Sequence, residues 1–124
     1  MINTKIMYNT LLENDIITDL VDSDSIFDTY PSTIENFPCI CFIDNKQTDL
    51  EYSDNVHTFE RCSVEIHIFT KALDNYPTTS EIGIAVADVF NRDFWTMQDS
   101  KEVADSVEDV RHRVMTFSKE VFLC

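Results

Sequence analysis

Apolar residues along this chain recur at two periods, which predict the order helix, strand, strand, helix, strand, strand. Thr4 to Glu13 holds no Gly or Pro and sets Met7, Tyr8, Leu11 and Leu12 at helical spacing. Asn14 reads as a break and a new cap, after which Ile16, Ile17, Leu20 and Val21 continue the helical pattern for about two more turns. Ile26 to Pro31 is short and rich in turn and strand formers. Pro38 then leads into Cys39–Ile43, a continuous apolar run that suits a strand covered on both faces. Thr58 to Thr70 alternates: Cys62, Val64, Ile66 and Ile68 fall on one side, Phe59, Arg61, Ser63, Glu65, His67 and Phe69 on the other. That period of two predicts a half-buried strand. Thr78 and Glu81 have capping-box spacing, and Ile82, Ala85, Val86, Val89 and Phe90 follow as an amphipathic helix ending near Asn91–Asp93. Phe94–Gln98 reads as a strand and Val110–Phe122 as a long one.

Between these elements lie acidic stretches. Asp44 to Asn55 reads as strand ends around a hairpin or long loop, and Asp99 to Asp109 as an acidic connection. The thirteen residues of the last strand exceed the usual ~3–10. It therefore either bends over a bulge or projects as a hairpin arm with Phe94–Gln98. The expected fold is α+β: a mainly antiparallel sheet of about four to five strands, two main helices and a long C-terminal β-hairpin.

The chain has 124 residues and shows no repeat or Pro/Gly/Ser-rich linker, so residues 1–124 read as one domain. Nine basic against 23 acidic side chains leave a net charge of −14. A surface this negative repels phosphates, which argues against a protein that grips nucleic acid or anionic lipid. With one glycine, the chain cannot build a Walker loop or a dinucleotide fingerprint. Asn3, Lys5, Asn9 and Thr10 interrupt any signal-peptide core, and no apolar run is long enough to span a membrane. The expectation is a soluble protein made in a cytoplasm, its cysteines reduced.

Few residue patterns in the chain point to chemistry. Cys39 and Cys41 share one face of a strand and, with Cys62, place three thiols near each other on paper. Structural zinc prefers a tighter knuckle and a fourth ligand, and a buried cysteine acting as a small hydrophobe is the commoner outcome. His57, His67 and Glu65 share strand parity, which permits a general base, but no nucleophile motif accompanies them. Asp22-x-Asp24 starts a calcium-loop pattern that nothing completes. Arg111, His112 and Arg113 form a basic spot; a phosphate site is one reading, and pairing with the acidic connection or with an acidic face of a neighbouring copy is the preferred one. Phe94, Trp95 and Met97 form an apolar cluster; together with Arg111, Arg113 and Met115 they are the candidate subunit contacts. No catalytic, cofactor-binding or metal-binding set emerges, and assembly is a better fit than catalysis.

Three stretches, in order, carry a family resemblance: Phe37-Pro38 with Cys39–Ile43, Arg61 to Lys71, and Val110 to Val121. The chain resembles the tail-completion proteins of long-tailed bacteriophages, also called tail terminators or head–tail joining proteins. The resemblance implies an α+β subunit of a six-membered ring, a virion component assembled in the host cytoplasm. One ring face would meet the tail tube protein and the other a head-closure or neck protein. It implies no cofactor, no catalysis and no membrane. Asn91-Arg92-Asp93 stands where many relatives place glycines after the second helix, so the resemblance implies the fold without fixing the hairpin register.

A tail channel must let DNA pass without binding it, and carboxylates achieve that where lysines would hold the phosphates. The expected channel or ring-surface acids are Asp99, Glu102, Asp105, Glu108 and Asp109, or alternatively Asp44, Asp49, Glu51 and Asp54. The long hairpin is the candidate arm onto the next copy. Alternatives are a head-closure or neck adaptor, a small metal- or ligand-binding domain, and an acidic regulator that mimics nucleic acid.

Overall fold

The alternating segment becomes the middle of a six-stranded sheet in the computed structural model. The structure describes residues 2–29, 31, 34, 36–45, 50–53, 56–73, 75–93, 95–103 and 109–122, and the side chains of these at 7–43, 63–103 and 109–119. In chain order the elements are α1 (Ile2–Leu12), α2 (Asp15–Leu20), β1 (Ile26–Phe27), β2 (Cys39–Asn45), β3 (Leu50–Ser53), β4 (Val56–Lys71), α3 (Thr79–Arg92), β5 (Thr96–Val103) and β6 (Val110–Phe122). The sheet runs β1-β2-β4-β6-β5, with β3 beside the first part of β4. Every pairing is antiparallel except β1 with β2. The α+β expectation holds and the sheet is mainly antiparallel, with six strands against the four to five expected.

Local chemistry fixes the helix starts. Asn14 Oδ1 accepts from Ile17 N at 3.1 Å and opens α2. Thr78 Oγ1 accepts from Glu81 N at 3.1 Å and opens α3. Each cap satisfies a backbone donor that the first helical turn leaves unpaired. The helices then bury one stripe each: Met7 and Leu11 from α1, Ile17 from α2, and Ile82, Val86 and Phe90 from α3. Against them the sheet sets Ile40, Phe42, Val64, Ile66, Ile68, Met115 and Phe117. Phe90 meets Phe117 edge to face, ring centroids 5.5 Å apart, a favoured aromatic geometry.

The opposite sheet face is not fully open. Cys39, Cys41, Phe69 and Val110 form a second apolar cluster there, covered by Phe27, Ile34 and Phe37. The Phe37–Pro38 peptide preceding β2 is cis. Lys71 Nζ lies 4.7 Å from the Phe37 ring centroid, a cation–π contact. β2 is thus covered on both faces, as its unbroken apolar run predicts. β4 departs from the half-buried expectation at this end, where His67 and Phe69, on the face opposite Ile66 and Ile68, are buried as well. The segment returning between β1 and β2 shields a face that alternation alone assigns to water.

The C-terminal hairpin also differs from expectation. β5 begins at Thr96 and runs to Val103, so Asp99 and Glu102 lie in a strand and not in a connection. A register shift between Met97 and Asp99 accommodates the offset. β5 is an edge strand, where charged side chains are tolerated because one row of backbone groups faces solvent. The extra length of β6 does not form an arm with β5. Thr96 is already paired at Ser118, and beyond it Lys119–Phe122 pairs with Phe59–Cys62 of β4. The extension belongs to β3, β4 and the end of β6, at the opposite end of the sheet from the β5–β6 connection.

Candidate functional site

Sheet parity separates the candidate residues into two places. On β6, Arg111, Arg113, Met115 and Phe117 share the helix-covered face, whereas His112 and Val114 share the other. Arg111, His112 and Arg113 therefore do not form one basic spot, because successive strand side chains point to opposite faces.

On the helix face, a groove of about 190 Å³ runs between α3 and the β5–β6 edge, lined by Ser80, Gly83, Ile84, Ala87, Met97, Ser100, Arg113 and Met115. Its floor is apolar and one end is charged. Arg113 donates through Nη2 to Ser80 Oγ at 3.1 Å, through Nη1 to Ser100 Oγ at 3.2 Å, and through Nε to Thr79 Oγ1 at 3.4 Å. Thr79 Oγ1 in turn donates to Glu102 Oε1 at 2.8 Å. Among the described residues the guanidinium bonds only to hydroxyls. A neutral hydroxyl is a weaker partner for it than a carboxylate, which can accept two parallel bonds.

On the other face, His67 is held on both sides. Its Nε2 lies 3.0 Å from Glu65 Oε1 and its Nδ1 lies 2.8 Å from His112 Nε2. His112 stacks on Phe69 with centroids 4.1 Å apart. The His67–Glu65 pair foreseen from parity is therefore formed, with His112 as a third member that strand spacing alone does not reveal. The ring–ring bond needs one donor and one acceptor nitrogen, so it exists only while one of the two imidazoles is neutral. His57 has its side chain outside the described set.

Of the cysteines, only Cys39 and Cys41 have described side chains. Cys41 pairs in register with His67, and Cys39 with Phe69. Cys62 shares parity with Val64, Ile66 and Ile68, so its position belongs to the opposite face. Burial pushes the Cys39 thiol up to about 11. Burial, followed by the proximity of Cys39, pushes Cys41 up to about 12. Both stay protonated at neutral pH, which makes them poor nucleophiles. No metal-holding group of three appears among the described residues.

The subunit-contact candidates separate likewise. Trp95 and Met115 are buried in the chain's own core. Trp95 lies three residues after the end of α3, its backbone N–H donating to Phe90 O at 2.9 Å, and Met115 faces the helices. Met115 still contributes to the groove lining, whereas Trp95 does not. Met97 is 44% exposed, Arg111 is exposed and Arg113 half-buried. Phe94 lies outside the described residues. Of the acids, Asp99, Glu102 and Asp109 are exposed. Lys101 Nζ is 3.9 Å from Asp99 Oδ2. Asp44 and Glu51 sit in β2 and β3 with their side chains outside the described set, and Asp49, Asp54, Asp105 and Glu108 lie outside it altogether. The groove itself is not foreseen from the sequence. Its one sequence signal is the chain's single glycine in the middle of its clearest amphipathic helix.

No family model matches the chain, and no curated protein matches it. A solved structure does: a chain described as "Virion of native gene transfer agent (GTA) particle" superposes with a TM-score of 0.72. The match covers 94% of this chain and 91% of that one at 14% sequence identity. At that identity the likeness defines a shared fold. No helix among the described residues is long and apolar enough to cross a membrane.

Proposed function

We propose that this protein is a structural component of a virion, a ring-forming subunit that completes the tail tube and joins it to the neck. The observation that carries the reading is the fold shared along nearly the whole chain with a chain of a gene transfer agent virion. The order of sequence motifs points independently to the tail-completion family. The role is mechanical. The subunits close head to tail into a six-membered ring, one face on the tail tube protein and the other on a head-closure protein. Carboxylates toward the channel keep DNA sliding rather than bound.

Native mass spectrometry across protein and salt concentrations tests this. Chains carrying −14 each repel one another, and salt screens that repulsion over about 10 Å at 0.1 M. A six-fold species that grows with salt is the expected result. A dimer with nothing larger overturns the ring. The channel assignment is tested separately, by Lys substitutions at Asp99, Glu102 and Asp109; unchanged DNA passage through the assembled tail overturns it.

A further inference from the structure

Four large apolar side chains stand out as exposed among the described residues: Ile16 at 61%, Leu73 at 52%, Ile84 at 72% and Met97 at 44%. Two of them, Ile84 and Met97, line the groove beside α3. A third, Ile16, stands on α2 among the exposed acids Glu13, Asp15 and Asp19. One surface is thus an apolar hollow with a guanidinium at its end, and the other an apolar tooth set among carboxylates. At about 190 Å³ the groove exceeds an engineered cavity of about 150 Å³ that holds a benzene ring, so it has room for an isoleucine side chain.

The two surfaces lie on opposite flanks of α3. At about 100° per residue, Ser80, Gly83 and Ala87 form one flank of α3, and Ala85 and Val89 the other. The first flank borders the groove, whose lining includes no residue of α1 or α2. Both α1 and α2 nevertheless pack on α3, so they adjoin the second flank. Tooth and groove in one chain therefore cannot meet each other, but they can meet those of a neighbour. Repetition of such a contact runs head to tail, and it closes into a ring when the rotation permits.

We infer that α2 of a second copy of this chain docks in the groove between α3 and β5, with Ile16 seated beside Ile84 and Met97 and with Asp15 or Asp19 paired to Arg113. This rests on the ring reading and assigns its subunit contact. Charge complementarity selects the occupant. Arg113 bonds only to hydroxyls among the described residues, and the incoming helix carries carboxylates and no basic residue.

Ile84→Glu and Ile16→Glu test the apolar half, because both positions are exposed and the monomer has no need of them. Each is expected to weaken self-association at least about tenfold, equivalent to about 1.4 kcal/mol, with the thermal midpoint of the dissociated monomer unchanged. A charge exchange tests the polar half. Arg113→Glu alone and Asp15→Lys with Asp19→Lys alone are each expected to fail to assemble, while an equimolar mixture assembles as an alternating ring. Native mass spectrometry reads the outcome. A wild-type protein that assembles while both isoleucine variants assemble equally well overturns the docking and leaves the ring reading standing. A wild type that stays monomeric at every concentration, with tail tubes present or absent, overturns both. If Arg113→Glu fails to fold, the isoleucine variants decide alone.

Discussion

A Cβ on Gly83 of α3 would stand 3.2 Å from Cδ of Arg113 on β6 and 3.4 Å from Sδ of Met115. The absence of a side chain at this position lets Arg113 lie flat along the helix and reach Ser80, Thr79 and Ser100. Glycine inside a helix costs about 1 kcal/mol relative to alanine. Gly83→Ala regains that and loses part of it in shifting a half-buried, flexible side chain by a few tenths of an ångström. The expected result is a gain of about 0.5 kcal/mol in urea unfolding, together with weaker self-association because the groove is narrowed. Gly83→Leu pushes into both neighbours and is expected to cost about 1–3 kcal/mol through overpacking.

Phe117 is fully buried and meets Phe90 edge to face. It joins β6 to α3 at the centre of the core. Removing a ring there leaves a void that close-packed neighbours cannot fill. Phe117→Ala is expected to destabilise the fold by about 3–5 kcal/mol. Ile84→Ala, at a position 72% exposed, is expected to stay within about 0.5 kcal/mol of wild type. Denaturant midpoints of the two variants test whether the helix-facing side of the sheet carries the stability.

Much of that side is legible in the sequence, because burial and exposure alternate locally. Val64, Ile66 and Ile68 announce their face two residues at a time, and Ile82, Val86 and Phe90 announce theirs by helical spacing. The other face is less legible. Phe69 is buried by Phe37 and Ile34, which arrive from elsewhere in the chain and leave no periodic trace. β5 is obscured by its own charges: Asp99, Lys101 and Glu102 resemble a loop, and only the edge position makes them acceptable in a strand. The groove arises from one flank of a helix lying over a bulged strand. No local pattern encodes such a meeting, and Gly83 is its sole mark.

The cap of α3 isolates one local term. Thr78 Oγ1 accepts from Glu81 N at 3.1 Å, and Ile82 N donates to Thr78 O at 3.2 Å. Thr78→Ala keeps the second bond and loses the first, leaving an end-of-helix donor to water. The expected cost is about 1 kcal/mol. Thr78→Ser retains the acceptor oxygen and is expected to recover most of it, which calorimetry of the pair tests.

The buried thiols impose a pH dependence whose sign follows from their environment. Cys39 is raised from 9.0 to about 11 and Cys41 from 9.0 to about 12, both chiefly by burial. Between pH 9 and these values the unfolded chain releases protons that the folded chain retains, so the unfolded state binds fewer protons and stability falls as pH rises. The contribution is fully present below about pH 9 and is lost progressively as pH passes through about 11 and 12. Cys39→Ala with Cys41→Ala should flatten the alkaline limb of the stability curve while lowering its neutral plateau through lost packing. Thiol labelling gives an independent reading. In a chain carrying Cys62→Ser and Cys124→Ser, the remaining two thiols are expected to react at pH 8 only as fast as the domain opens. Immediate labelling of either thiol in the folded protein would place it in contact with solvent and remove the basis of the shift.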